Sequence, residues 1–306
     1  MADITLLDGG MGQELVRRSG KPASPLWATQ ILIDAPEIVA AVHRDYADAG
    51  ATVATTNTYA IHRDRLMGGS SNHYADGDTD LLDRTDQFES LLHAALDQVD
   101  SVRDRGQIAG AIGPLGASYR SDIHPPEAEA TSLYAEVARQ LAPRCDVLLF
   151  ETVASLTAAR ACVAAGRQTD RPVWVAFTVD DTDGTRLRSG ELLADAVDIA
   201  NSADAALINC SVPEVIGTAL DALADTLVPL GAYANGFTQI SQAFIDGGTT
   251  ADGLQHRTDL TPEVYAEHAM SWIDHGATIL GGCCEVGPAH IAEIARRLRA
   301  AGHTIV

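Results

Sequence analysis

Short apolar runs rich in β-branched residues alternate along this chain with longer stretches that have the apolar periodicity of amphipathic helices. The apolar runs predict eight strands, at residues 4–9, 51–58, 107–113, 147–152, 172–179, 205–211, 230–235 and 277–283. Between them, helical periodicity is clearest at residues 36–50, 127–142, 191–201 and 262–276. Regular alternation of strand and helix is typical of a parallel sheet in an α/β protein.

Residues that favour helix boundaries fit this alternation. Asp34, Ser189 and Thr261 stand just ahead of three of the helical stretches, and these residue types are favoured N-caps. Gly50 and Gly276 are the last residues of two of the stretches, where glycine commonly ends a helix. The boundary signals therefore support the same division of the chain into strand and helix units.

Eight successive βα units predict closure into a (β/α)8 TIM barrel, although an open doubly wound sheet is compatible with the pattern alone. No linker-like segment divides residues 1–306, so we expect a single domain. Two long polar segments, 60–84 and 237–260, follow the second and seventh strands. Both lie on the side where strands end, and they are candidate lids over a site.

Charge and hydropathy narrow the classes of partner. Lys and Arg total 21 against 42 Asp and Glu, which gives a formal net charge of -21. Nucleic-acid binding is not expected, because phosphate contacts require clustered basic residues. No apolar run approaches the roughly 20 residues that span a bilayer, so we expect no membrane partner and a cytoplasmic location. The sequence leaves the oligomeric state open, including a homo-oligomer.

Three of the five cysteines lie where predicted strands end, which is the catalytic face of a barrel. Cys210 ends the sixth strand, and Cys283 with Cys284 ends the eighth. Three thiolates with an open fourth position are typical of a catalytic zinc site. Adjacent residues of a regular strand point to opposite faces, so a shared metal requires a bend, which Gly281 and Gly282 permit.

Burial as small apolar residues is the usual fate of free cysteine, and on spacing alone it stays open for these three. Cys145 and Cys162 lie in helical or pre-strand settings without partners, so core packing is predicted for both. The ten histidines show no ligand spacing.

Five motifs, LLDGGMGQEL at 6–15, TTNTY at 55–59, LLFET at 148–152, LINCS at 207–211 and GGCCEVGPAHI at 281–291, carry a resemblance along nearly the whole chain. The sequence resembles the homocysteine S-methyltransferase family, which includes betaine- and S-methylmethionine-dependent enzymes and the homocysteine domain of cobalamin-dependent methionine synthase. The resemblance implies a zinc-dependent barrel enzyme that methylates homocysteine to methionine.

The resemblance also implies roles for individual residues. Homocysteine sulfur would take the fourth zinc position, and carboxylates and glycine backbone would bind the rest of the amino acid. The implied zinc ligands are Cys210, Cys283 and Cys284, and the implied substrate contacts are Asp8, Gly9, Gly10 and Glu151. Asn235 resembles a residue that binds zinc when substrate is absent. The alternative is that Asp8 caps a turn and Glu151 forms an ion pair.

The donor side departs from part of the family. Thr152 follows Glu151, whereas the betaine-dependent enzymes carry an aromatic residue there that cages a quaternary ammonium. A sulfonium donor, S-methylmethionine or S-adenosylmethionine, is therefore expected, and Trp27, Tyr59 and Trp272 are further candidate contacts. Trp272 lies in helical periodicity, which favours core packing for it instead. Alternatives are another thiol or selenol acceptor, betaine as donor, or a non-catalytic zinc-binding barrel.

Overall fold

Eight parallel strands form a closed ring in the computed structural model, which describes residues 1–22, 24, 26–67, 83–241, 244–245 and 253–306. The strands are β1 (Asp3–Leu6), β2 (Val53–Thr55), β3 (Gln107–Ile112), β4 (Val147–Val153), β5 (Val173–Phe177), β6 (Ala205–Asn209), β7 (Leu230–Tyr233) and β8 (Ala277–Leu280). Each pairs with the next, β8 pairs with β1, and a parallel bridge from Leu7 to Val53 joins β1 to β2. The predicted barrel is confirmed, and the open-sheet alternative is wrong.

A ninth strand that the sequence pattern did not indicate lies beside the ring. β9 (Thr304–Ile305) pairs in parallel with β1 at Asp3 and Ile4, before the point where β1 meets β2. The Val306 carbonyl accepts a hydrogen bond of 2.6 Å from the Thr52 hydroxyl. β9 therefore fills the gap between β1 and β2 at the end of the barrel where strands begin.

The helices of the described chain lie outside the ring. They are α1 (Met11–Ser19), α2 (Ala28–Asp34), α3 (Pro36–Ala49), α4 (Arg63–Leu66), α5 (Phe88–Val99), α6 (Glu127–Leu141), α7 (Leu156–Gly166), α8 (Val197–Ala200), α9 (Pro213–Ala222), α10 (Pro262–Asp274) and α11 (Pro288–Ala300). Three of the four helical stretches expected from periodicity correspond to α3, α6 and α10 over most of their length.

Two of the three expected N-caps do not act as caps. The Thr261 hydroxyl does cap α10, since it accepts a hydrogen bond from the Val264 N–H at 3.4 Å. The Asp34 carboxylate is instead bound by Lys21. The Ser189 hydroxyl donates to Glu191 at 2.6 Å, and the helix expected from residue 191 begins only with a 3-10 turn at Leu193–Ala196. The side chains of Asp34 and Ser189 therefore form hydrogen bonds with other side chains and do not cap a helix.

Apolar side chains fill the ring and the layer between strands and helices, as expected for this fold. The interior consists mainly of alanine, valine and leucine, and its buried members are Leu7, Val53, Ala109, Val147, Leu149, Ala176, Ala205, Leu207, Tyr233 and Ile279. Cys145 and Cys162 are buried in the outer layer, so their predicted core packing is confirmed. Trp272 is buried there too, edge-on to Tyr265, and is not a donor contact.

The two candidate lids include residues 68–82, 242–243 and 246–252, which lie outside the described residues. Their role stays a prediction, as does the single-domain interpretation of residues 1–306. Within the ranges that the structure describes, no helix combines the length and apolar character needed to cross a membrane.

Candidate active site

The metal-ligand cysteines predicted from the sequence lie together at the end of the barrel where strands finish. Cys210 directly follows β6, and the chain leaves β8 at Leu280, three residues before Cys283. A Cβ atom added at Gly281 would lie 2.6 Å from the Leu7 Cβ, so only glycine lets the chain leave the strand at this place. The expected bend is therefore present, and it directs both neighbouring cysteines to one site.

The sulfur atoms of Cys210, Cys283 and Cys284 all lie within 4.8 Å of one another. Cys210 and Cys283 form a disulfide, and the Cys284 Sγ lies 3.8 Å from the Cys210 Sγ. Tetrahedral coordination with bonds near 2.3 Å separates two zinc-bound sulfurs by about 3.8 Å. The donor set and this spacing fit a zinc ion, and loading requires the disulfide to be reduced to two thiols.

Burial governs the remaining thiol of the cluster. Burial, with a smaller contribution from the nearby carboxylates of Glu285 and Glu151, raises the pKa of Cys284 to about 12. The thiol is therefore neutral at physiological pH unless a cation lies beside it. A bound metal would supply that charge, since a coordinating thiol loses its proton.

Backbone strain is concentrated around the same pocket. The non-glycine residues with positive φ in the described ranges are Trp27 (47°), Tyr119 (67°), Thr152 (56°), Cys210 (47°) and Glu285 (67°). Three of them line the pocket, and the other two directly follow residues that line it. Such conformations cost about 1–3 kcal/mol each and persist only where surrounding contacts hold them, which is common at functional sites.

Two carboxylates, the buried Asp8 and the partly buried Glu151, face this pocket, and neither has a cationic partner among the described residues. Asp8 accepts hydrogen bonds from the Thr55 N–H at 2.7 Å and the Thr55 hydroxyl at 2.8 Å. Glu151, on β4, accepts one from the Tyr233 hydroxyl at 2.9 Å. The ion pairs found among the described residues include neither carboxylate. The alternative of an ion pair for Glu151 is therefore not supported, and a ligand cation would satisfy both groups.

Burial is the main cause of the unusual acidity of these two groups. It raises the pKa of Asp8 to about 8, against the opposing effect of the Thr55 hydrogen bonds, with a further contribution from the charge of Glu151. It raises the pKa of Glu151 to about 7. Raised pKa values of neighbouring carboxyl groups in a pocket are typical of a functional site, because the ionised groups there have no positive charge beside them until a ligand binds.

Gly9 and Gly10 both line the pocket, and the structure adds a second reason for glycine there. A Cβ atom at Gly10 would lie 2.5 Å from the Cys283 carbonyl oxygen, and one at Gly9 would overlap the Val286 carbonyl oxygen. The sequence argument considered only close approach of substrate to the backbone. These glycines also allow the loop after β1 to pack directly on the turn that carries two cysteines.

Asn235 lies two residues after the end of β7 and is fully buried. Its Oδ1 accepts a hydrogen bond of 3.1 Å from the Phe237 N–H, while its Nδ2 has no hydrogen-bond partner. The oxygen that would bind zinc is therefore engaged within its own turn. That Asn235 binds zinc in the absence of substrate stays a prediction.

Aromatic side chains form much of the remaining pocket wall. Two were named from the sequence, Trp27 and Tyr59, whose ring centroids lie 6.0 Å apart in an edge-to-face arrangement. Tyr119, Phe237 and Phe244 also line the pocket. Phe237 and Phe244 lie in the second candidate lid, at residues 237–260, whereas no local pattern marks Tyr119 as a pocket residue.

Two further residues at the site were missed by sequence reasoning. Tyr233 lines the pocket and binds Glu151, and Asn209 forms two hydrogen bonds with Thr152. Asn209 lies within the LINCS motif and ends β6, and Tyr233 ends β7 outside the five motifs. That position was the available signal, but it does not reveal which strands their side chains reach.

Comparisons with known proteins agree with this geometry. The sequence model of the family described as homocysteine S-methyltransferase matches residues 5–298. Homocysteine S-methyltransferase of Escherichia coli is 30% identical, over 96% of this chain and 95% of its own length. Homocysteine S-methyltransferase YbgG of Bacillus subtilis is 28% identical, over 95% and 93%. Selenocysteine methyltransferase of Astragalus bisulcatus is 25% identical, over 94% and 90%.

Solved structures give the same assignment. The metallated form of the homocysteine methyltransferase MmuM from Escherichia coli superposes with a TM-score of 0.76 at 26% identity, covering 96% of each chain. The oxidized form of that protein also gives a TM-score of 0.76. The barrel, the cluster of three cysteines, the whole-length family match and these neighbours establish that the chain belongs to the homocysteine S-methyltransferase family.

Proposed function

We propose that this enzyme methylates homocysteine with a sulfonium donor, S-methylmethionine or S-adenosylmethionine, while zinc held by Cys210, Cys283 and Cys284 binds the acceptor sulfur. One observation supports this assignment most strongly. Three cysteine sulfurs within 4.8 Å of one another share a pocket with two carboxylates that have no cationic partner within the described part of the chain. A thiol that also carries an ammonium group fits both features.

The choice of zinc is supported by the chemistry of the donor atoms. Thiolates are soft ligands that select zinc over magnesium or calcium, which prefer oxygen. Three protein ligands leave a position for the substrate, as in other catalytic zinc sites. When bound, zinc would lower the pKa of the acceptor thiol and keep it as the nucleophilic thiolate.

Asp8 and Glu151 would bind the ammonium group of homocysteine, and the backbone at Gly9 and Gly10 would lie against the amino acid. Each charge-assisted hydrogen bond of this kind contributes about 1.5–3 kcal/mol. Because these groups lie in the loop after β1 and on β4, and not on the cysteine turn, they would orient the acceptor independently of the metal. Binding and activation of the acceptor are therefore separate tasks.

The transfer itself is an in-line substitution at carbon. The acceptor sulfur forms a new bond to the methyl carbon while the bond from that carbon to the sulfonium sulfur breaks. The bonding electron pair returns to the donor sulfur, which leaves as a neutral thioether, and the acceptor proton is released to solvent. The main task of the protein is to hold both sulfur atoms and the methyl group in line.

The pocket wall favours a sulfonium donor. Trp27, Tyr59 and Tyr119 present aromatic rings to the pocket, and such rings attract a cation within about 6 Å of the ring centre. Thr152 is fully buried at the position where betaine-dependent enzymes carry an aromatic residue. The cage for a quaternary ammonium is therefore incomplete, which disfavours betaine.

A second acceptor class has one specific observation in its favour, because a selenocysteine methyltransferase is among the similar proteins. The deciding experiment is a panel of donors and acceptors, assayed on protein of known zinc content with mass-spectrometric detection of products. We expect methionine from homocysteine with a sulfonium donor. Methylation of a different thiol or selenol alone would refute the acceptor, and complete inactivity despite full zinc loading would favour a non-catalytic barrel.

A further inference from the structure

We propose that Asn209 and Tyr233 form a rigid spacer between the metal-ligand and ammonium-binding residues, and that this spacer selects acceptors by length. The inference deepens the proposed function and rests on it. An acceptor that binds zinc through sulfur and Glu151 through its ammonium must match the separation between those two points. Homocysteine and cysteine differ in that length by one methylene group.

Asn209 provides the first link. It is the last residue of β6, immediately before Cys210, and it is fully buried. Its Oδ1 accepts a hydrogen bond of 3.0 Å from the Thr152 N–H, and its Nδ2 donates one of 3.1 Å to the Thr152 hydroxyl. Thr152 immediately follows Glu151. A single amide therefore joins the neighbour of a metal ligand to the neighbour of the substrate carboxylate, across the intervening β5.

Tyr233 provides a second, independent link between the same two positions. Its backbone carbonyl accepts a hydrogen bond of 3.2 Å from the Cys210 N–H, and its hydroxyl donates one of 2.9 Å to Glu151. The side chain is almost entirely buried inside the barrel. It therefore holds the Glu151 side chain as well as the backbone of the cysteine.

Backbone geometry shows why these links matter. Thr152 and Cys210 have φ values of 56° and 47°, in a region that non-glycine residues rarely adopt. The β-branched Thr152 is especially unfavourable there. Such conformations persist only when surrounding contacts fix them. The Asn209 amide binds both the N–H and the hydroxyl of Thr152, so it holds Glu151 at one separation from Cys210.

If the separation between the metal ligands and Glu151 is fixed, a difference of one methylene group between two acceptors makes the enzyme select one of them. In a flexible site, the Glu151 carboxylate could move closer to the cysteine sulfurs and bind the ammonium of a shorter acceptor. Homocysteine and cysteine would then both react. In a rigid site, cysteine bound through sulfur cannot bring its ammonium within hydrogen-bond distance. A missing methylene is typically worth about 10- to 200-fold in kcat/KM. Displacement of a reacting group by about 1 Å carries a penalty of similar size.

Two variants test the spacer by removing one hydroxyl each while keeping the shape of the side chain, Thr152→Val and Tyr233→Phe. Matched controls are Thr278→Val on β8 and Tyr134→Phe on α6, which do not line the pocket. Zinc content is measured first. The values of kcat/KM for homocysteine and cysteine are then measured with one sulfonium donor.

We expect the parent and both controls to prefer homocysteine at least tenfold. Each spacer variant should retain zinc and lower the homocysteine-to-cysteine ratio at least fivefold, chiefly through loss of homocysteine turnover. If the role of these residues were merely structural, kcat/KM for homocysteine and for cysteine would fall in proportion and their ratio would stay unchanged. That result would overturn the proposal. Loss of zinc from both variants would also overturn it, because the links would then serve metal binding.

The outcomes separate this inference from the proposed function. A parent enzyme that does not methylate homocysteine with any sulfonium donor refutes the proposed function. A parent that methylates both acceptors equally, or whose preference survives both spacer variants, refutes only the spacer. If Thr152→Val does not fold, Tyr233→Phe decides alone, since it removes only a hydroxyl that faces Glu151.

Discussion

Replacement of Glu151 by Gln removes a negative charge while it keeps the length and shape of the side chain. The amide oxygen can still accept the hydrogen bond that Tyr233 donates over 2.9 Å, so the barrel and the three cysteines should be undisturbed. Loss of a charge-assisted hydrogen bond of about 1.5–3 kcal/mol corresponds to a roughly 10- to 150-fold lower kcat/KM for homocysteine. Because Asp8 still faces the ammonium, the loss should lie toward the lower limit.

The control is a thiol of the same length that lacks the amino group. It should react poorly with the parent and lose little further in Glu151→Gln, since it never used that carboxylate. The assay compares kcat/KM for both thiols in both proteins at matched zinc content. Equal proportional losses for the two thiols would show that Glu151 supports the fold or the donor, and its assignment to the acceptor ammonium would be refuted.

Three further predictions concern the metal and the buried charge. Elemental analysis of protein purified under reducing conditions should find about one zinc per chain, and less than about a tenth would contradict the proposed site. Alanine at any one of the three ligand cysteines should abolish methyl transfer and zinc retention, whereas Cys145→Ala and Cys162→Ala should keep both; the reverse pattern would refute the ligand assignment. Burial raises the pKa of Glu151 from near 4.5 to about 7, so the folded state binds this proton more tightly and loses stability as pH rises through that window. The free energy of unfolding of Glu151→Gln should therefore exceed that of the parent by on the order of 2–3 kcal/mol at pH 8, with no such excess at pH 4. Urea titrations at equal zinc saturation measure this difference. Equal free energies at pH 8 would show that the ionised carboxylate is not destabilised.

The barrel was predictable because its strands are short apolar runs with helical periodicity between them. The pattern found all eight ring strands but not β9, since Thr304–Ile305 is too short to show any periodicity. The helix expected from residue 191 began late, because the Ser189 hydroxyl binds Glu191 instead of capping. Such competition between side-chain partners is not visible in a sequence.

The candidate site was predictable to the extent that it lies in local motifs. The cysteines after β6 and β8 and the carboxylates at Asp8 and Glu151 come at strand ends, and barrel topology alone places those ends together. The links from Tyr233 to Glu151 and from Asn209 to Thr152 were not predictable. They depend on which side chains cross an intervening strand, and this is set by strand register and by unusual backbone angles.

The ninth strand has a consequence for how the molecule is made. The Ala2 N–H binds a ring nitrogen of His303 at 3.2 Å, so segments 301 residues apart in the chain complete the seam between β1 and β2. Contacts of such long sequence separation form late, because a large loop must first close. During synthesis from the amino end, Asp8 must wait for its neighbours on β8, and Cys210 must wait for the other two cysteines. A nascent chain therefore exposes the Cys210 thiol before the other two cysteines exist, and a metal ion held by all three could be acquired only after β8 has been made.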